Sequence, residues 1–383
     1  MKKFRIMILF MIAAVMLSGC GSVGTNEAAK APAETAISPA EEALSSMSLY
    51  EKVWQMFMIA PEDIVSTEAV TAADEELKAA LEKYPVGGVI LFSKNIETRE
   101  QTVSLIRDMQ ELSQTPMFIG VDEEGGRVSR LGGADVGVTK FPPMGEIGAG
   151  GDPSKAFEVG ETLGRELRQM GFNVDFAPVA DTIIVSDNED ISDRSFGTDP
   201  NLVAEMVAAE VSGMESQNLC ATLKHFPGNG STVTNTHEAE GICARTLEEM
   251  RATEFIPFKA GIDAGADMVM VAHMTVPDIV GDTTPSTLSP IIITDLLRGE
   301  LGFEKVVVTD ALNMGAITSK YSPFEAAIGA INAGADVLLM SPQAASVAEE
   351  IVQAVERGEI SESRIDESVR RILSLKQERE ILN

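Results

Sequence analysis

Residues 305–312 read KVVVTDAL, and the fold turns on how they are read. Three consecutive valines cannot alternate between a wet and a dry face. The run therefore reads as a strand buried on both sides, as in a parallel sheet covered by helices. It closes on a carboxylate, Asp310. A charge at the end of a buried strand costs free energy unless it is paired or opens on a cleft. Asp310 thus reads either as a cap for the following ALNMGAI or as part of a site.

Seven more runs of the same kind surround it. They are QMFMIA (55–60), VGGVILF (86–92), MFIGVD (117–122), FNVDFAPVAD (172–181), CATLKHFPG (220–228), MVMVAHM (268–274) and DVLLMS (336–341). The intervals carry helix signals. In DPSKAFEVGETLGRELRQMG, Asp152 is a cap, Pro153 takes the first helical position and Gly171 stops the helix. Two intervals end in the same AGAD joint, at 264–267 and 333–336, as expected of a helix C-terminus leading into a strand. Eight strand–helix units in one domain predict a (β/α)8 TIM barrel; a doubly wound open sheet is the other arrangement that fits.

Active sites of such barrels lie at the carboxyl ends of the strands. Strand three closes on Asp122, strand four on Asp181, strand five on Lys224-His225, strand six on His273 and strand seven on Asp310. The chain has three histidines, and all fall on this rim or its loops: His225, His273, and His237 in the Gly/Ser/Thr-rich loop after strand five.

Composition narrows the partners. With 59 acidic and 30 basic residues the formal charge is −29, which repels nucleic acid and anionic headgroups. No Cys/His spacing suggests zinc, and the first strand–helix turn lacks Gly-x-Gly-x-x-Gly. Neither a metal nor another cofactor is expected.

The N-terminus reads as a targeting signal. MKKFR is a basic leader, and Ile6 to Leu17 is apolar but too short to span a bilayer. It ends in LSGC, which resembles a bacterial lipobox and implies cleavage before Cys20 with a lipid on its sulfur. The expected organisation is a signal peptide at 1–19, an anchor cysteine and flexible linker at 20–45, and a single catalytic barrel at 46–383. Export permits a disulfide between Cys220 and Cys243, but nothing in the sequence brings them together; two free, buried thiols are expected.

The stretches VDEEGGRVSR, DRSFG, KHFPGNG…NTH and VVVTDALNMGAI, in that order, resemble glycoside hydrolase family 3, and within it the single-domain β-N-acetylglucosaminidases. The resemblance runs from about Leu49 to the C-terminus. It implies a retaining hydrolase acting on terminal β-linked N-acetylhexosamine, including cell-wall muropeptide fragments, in the cell envelope. Asp310 matches the nucleophile and His237 the acid/base. Asp122, Arg130, Arg194, Lys224 and His225 match residues that hold sugar hydroxyls. Met314 falls near the N-acetyl pocket, or in ordinary core. Arg127 reads equally as a structural ion pair.

One position departs from the pattern. The family has Asp two residues before the acid/base histidine; here it is Asn235. An amide can orient the ring but lends it no negative charge, so a weaker acid favouring mildly acidic pH is expected. Other readings are a β-glucosidase of the same family and a non-catalytic, lipid-anchored sugar-binding protein. A metal-dependent amidohydrolase lacks its His-x-His near the first strand. A Schiff-base aldolase could use Lys224 but has no need of the 225–237 loop.

Overall fold

A computed structural model describes residues 37–134, 136–232 and 241–382. Cys20, Asn235 and His237 lie outside the described residues, and so does the stretch read as a signal peptide. All eight apolar runs contain strands: β1 (Phe57–Ile59), β2 (Gly88–Ile90), β3 (Phe118–Val121), β4 (Val174–Asp175), β5 (Cys220–Phe226), β6 (Met268–Val271), β7 (Val306–Thr309) and β8 (Leu338–Leu339). Each strand pairs in parallel with its neighbour in sequence, and β8 pairs with β1. The Val308–Val337 bridge and the Thr309 N–H bond to the Val337 carbonyl (3.0 Å) join β7 to β8. The sheet is therefore a closed (β/α)8 barrel, with no open edge to form a doubly wound sheet.

The strands are buried along their whole length, as continuous apolar runs require. Each valine of β7 removed from water contributes about 1.5–3 kcal/mol. β4 is shorter than its sequence run because Pro178 lacks an N–H for the ladder; Val179 returns to bridge Lys224.

Helices follow the strands as their signals suggest. The 153–170 helix starts at Asp152, whose side chain accepts the Ser154 N–H, and stops at left-handed Gly171. Both AGAD joints work alike. Gly265 and Gly334 take φ of 107° and 116°, and the aspartate that follows each is fully buried at the base of the barrel. Asp267 pairs there with Lys305 (2.7 Å) and Arg379 (2.8 Å), and Asp336 with Arg298 (2.6 Å) and Arg371 (3.0 Å). The repeated AGAD is thus a repeated ionic clasp beneath the sheet, on the face opposite the rim of strand-end charges.

Two features differ from expectation. Part of the stretch read as flexible linker is helix: Pro39–Ser46 is capped by Ser38 and packs on the 362–378 helix through Ala40 and Leu44. Its Ala/Pro/Glu composition hides a buried i, i+4 pair. After β3 the chain also makes an antiparallel hairpin, Glu123–Gly125 with Val128–Ser129, turned by Gly125 and Gly126 at positive φ. Cys220 and Cys243 are free and buried, and burial pushes their thiols up, Cys243 to about 11. Among the described residues no helix is long and apolar enough to cross a membrane.

Candidate active site

A cavity of about 500 Å³ opens at the C-terminal ends of the strands. Asp122, Arg130, Arg194, Lys224, His225, Asp310 and Met314 all line it. The residues matched to the sugar pocket and the nucleophile are therefore in one place, whereas His273 is not among them.

Its floor is a chain of alternating charges. Lys224 enters from the end of β5 and is 2% exposed. Its ammonium lies 2.8 Å from Asp122 Oδ1 and 2.5 Å from Glu124 Oε1. Arg130 holds the other Asp122 oxygen at 3.2 Å. Arg194 grips Glu124 through two bonds of 2.8 Å and reaches His225 Nε2 at 3.3 Å. His225 Nδ1 lies 2.7 Å from Asp181 Oδ2. A guanidinium only donates, so this pattern puts the ring proton on Nδ1 and leaves the Nε2 lone pair toward Arg194.

Proton affinities follow from this layout. Burial pushes the Asp122 carboxyl up, but Lys224 and Arg130 outweigh burial and hold it below its ordinary value. For Glu124 the same contest ends well below the carboxylate range, because Arg194 and Lys224 both pair with it. Burial lowers Lys224, yet Asp122 and Glu124 leave it raised. A lysine held cationic by two carboxylates is a poor Schiff-base nucleophile, which removes the aldolase reading. Two ionised carboxylates locked to cations have no proton to give a leaving group. What the floor offers is rigid, charge-assisted hydrogen bonding to hydroxyl groups.

Asp310 stands across from this floor at the end of β7. Its backbone N–H bonds the Val271 carbonyl (2.9 Å), and its Oδ1 accepts the Ala311 N–H (2.7 Å). It is not a helix cap: the short helix that follows, Gly315–Thr318, begins after Met314. His273 differs from the expectation that all three histidines serve the rim. It is fully buried outside the cavity lining and bonds Thr287 Oγ1 (2.8 Å) and the Ala311 carbonyl (2.9 Å). Its contacts brace the turn that carries Asp310.

Arg127 lines the cavity but pairs with Asp193 (2.9 Å) and with the carbonyls of Glu189 and Asp190, as its structural reading predicts. Glu124, Asp190 and Asn313 also line the cavity, and sequence reasoning passed over them. Glu124 sits beside Glu123, which turns the other way to accept the N–H groups of Arg130 (2.9 Å) and Leu131 (3.0 Å). Only the unrecognised hairpin decides which of the two faces the site. Asp181 lies six residues beyond the end of β4, past the Val179 bridge; it orients His225 and accepts the Asn229 N–H (2.6 Å).

A family model described as "Glycosyl hydrolase family 3 N terminal domain" matches residues 48–375. The chain belongs to glycosyl hydrolase family 3. Family membership makes it a glycoside hydrolase, and the amidohydrolase reading falls with that assignment. A β-hexosaminidase of Stenotrophomonas maltophilia (strain K279a) is 41% identical over 261 residues, 67% of this chain and 76% of the relative. Among solved structures, a glycoside hydrolase family 3 β-N-acetylglucosaminidase from Paenibacillus sp. str. FPU-7 superposes with a TM-score of 0.82 at 37% identity. That match covers 88% of this chain and 63% of the other. A β-N-acetylhexosaminidase from Beutenbergia cavernae matches with a TM-score of 0.77 at 30% identity, covering 86% and 99%.

Proposed function

We propose that this chain is a retaining exo-β-N-acetylglucosaminidase that works through a covalent glycosyl-Asp310 ester. The observation that carries the reading is the single cavity in which Asp310 faces the Asp122–Lys224–Glu124–Arg194–His225 floor. The floor holds the hydroxyls of one terminal ring. The Asp310 carboxylate then forms a bond to the anomeric carbon as the bond to the leaving oxygen breaks. His237 gives that oxygen its proton, and water later restores the proton to His237 while releasing the sugar from Asp310. The acid role suits an imidazole because Asp122 and Glu124 are held ionised. Met314, three residues beyond Ala311 on the same wall, borders the acetamido group.

The relatives named β-hexosaminidase and β-N-acetylglucosaminidase support the choice of sugar. With a lipid on Cys20, the enzyme works in the cell envelope on muropeptide fragments or related oligosaccharides. Proton NMR of the first-formed product tests the stereochemistry. With an aryl N-acetyl-β-glucosaminide, the β-anomer appears first if the reading holds. Initial release of the α-anomer contradicts it, and a preference for the aryl β-glucoside moves the specificity to β-glucosidase.

A further inference from the structure

Glu254, the residue before the helix Phe255–Asp263, is fully buried, does not line the cavity and takes no part in the chemistry above. We propose that it is a positioning residue for the general acid: its carboxylate ties together the two ends of the stretch that carries His237. The proposal rests on the glycosidase reading above.

Both ends meet on one carboxylate. Before the stretch, Ser231 Oγ donates to Glu254 Oε1. After it, Arg245 Nε stands 2.7 Å from the same oxygen. Glu254 Oε2 accepts from Thr253 Oγ1, and that hydroxyl accepts from Arg245 Nη2 (2.7 Å). A carboxylate with no surface in water is costly unless its oxygens are paired. Among the described residues its partners are the two chain ends and its own neighbour, so releasing either end strands a buried charge.

The backbone follows the same plan. Gly228 takes φ of 137°, and a Cβ there would fall 2.6 Å from Glu254 Cγ, so glycine lets the turn after β5 lie against this side chain. On the other side, the Cys243 N–H bonds the Thr275 carbonyl (2.9 Å) and the Thr275 N–H bonds the Gly241 carbonyl (2.7 Å), which pins the returning chain to the rim after β6. Asp310 and the ion pairs of the floor are held by other contacts. What Glu254 fixes is where the chain departs after Ser231 and where it returns before Arg245. An acid must lie within hydrogen-bond reach of the glycosidic oxygen, and a shift of about 1 Å costs about 10²-fold in rate.

Two aryl N-acetyl-β-glucosaminides separate this role from a merely structural one. Phenoxide needs a proton to leave, and 2,4-dinitrophenoxide does not. Because kcat/KM reports the steps up to formation of the ester, only the phenyl glycoside reads the acid. His237→Ala sets the scale: kcat/KM falls about 10²–10⁴-fold on the phenyl glycoside and less than about threefold on the dinitrophenyl glycoside. Glu254→Ala gives the same selective pattern, with a loss of about 10²-fold on the phenyl glycoside. Ser231→Ala removes one bond, keeps the Arg245 pair and loses about tenfold on the phenyl glycoside. Equal losses of Glu254→Ala on the two glycosides, or unchanged rates on both, overturn the proposal. Where Glu254→Ala does not fold, the same readings of Ser231→Ala decide it. Equal losses in His237→Ala overturn the acid assignment instead, and wild-type protein that cleaves neither glycoside overturns the glycosidase reading; each takes the positioning role with it.

Discussion

Arg194 and Glu124 form a two-pronged buried pair, each guanidinium nitrogen 2.8 Å from its own carboxylate oxygen. The pair joins the loop after β4 to the hairpin after β3, and Lys224 from β5 completes it at 2.5 Å. Three strand ends are thereby tied together on the floor of the cavity.

Glu124→Gln removes the anion that two buried cations share, leaving Lys224 only Asp122 (2.8 Å) and Arg194 only Asp190 (3.3 Å) among the described residues. The expected cost is about 3–5 kcal/mol in stability. Affinity for N-acetylglucosamine should fall as well, since Lys224 and Arg194 lose their fixed positions. Glu124 is held below its ordinary value in the folded chain, so its contribution is complete above about pH 4.3 and is lost as pH falls toward the folded value. Denaturant titrations between pH 3 and 7, run on both proteins, check this. The wild type should lose stability on acidification more steeply than Glu124→Gln, and parallel curves would show that the pair carries no linkage.

Glu210 is the opposite case. Both its carboxyl oxygens are buried without a hydrogen-bond partner, and burial, with a smaller push from Glu124, raises it to about 8. A raised acid contributes most below its unfolded value, and that contribution is lost as pH rises through the folded value. Glu210→Met should therefore stabilise the protein at pH 8 by about 1–3 kcal/mol and remove a decline between about pH 4.3 and 8. Melting temperatures across that window read the effect directly; a destabilised Met variant at pH 8 would show that the carboxyl has a partner worth keeping.

These two glutamates show where the sequence is legible. The barrel can be read because a strand buried on both faces must be apolar throughout, as Val306–Val308 are. The strand-end residues Asp122, Lys224, His225 and Asp310 can be read because polarity at the end of such a run needs a reason. Glu124 cannot, because Glu123 and Glu124 are chemically alike and only the hairpin separates their faces. His273 reads like a rim residue by position, yet its ring turns back to Thr287 and the Ala311 carbonyl. The Pro39–Ser46 helix is masked by a linker-like composition, since its burial depends on a partner helix more than 300 residues away.

Asn235 should set the alkaline side of the pH–rate profile. Asn235→Asp restores the carboxylate that the family carries two residues before the proposed acid, and a carboxylate that pairs with the imidazole raises its proton affinity. The general acid must be protonated to act, so kcat/KM of the variant persists to higher pH than in the wild type. Profiles from pH 4 to 9 measure this, and superimposable profiles would mean that residue 235 does not tune the acid.

Cys20 should decide where the protein resides. Expressed with its own leader, the wild type should partition into the detergent phase of a Triton X-114 separation, and Cys20→Ala into the aqueous phase. Detergent-phase recovery of Cys20→Ala would remove the lipid anchor from the account.

The measurement that bears most directly on the chemistry is mass spectrometry of protein treated with a 5-fluoro N-acetylglucosaminyl fluoride, followed by peptide mapping. The account predicts one fluorosugar per chain, attached to the peptide containing Asp310, and no adduct with Asp310→Asn. An adduct on any other carboxylate, or rapid turnover with none accumulating, would contradict it.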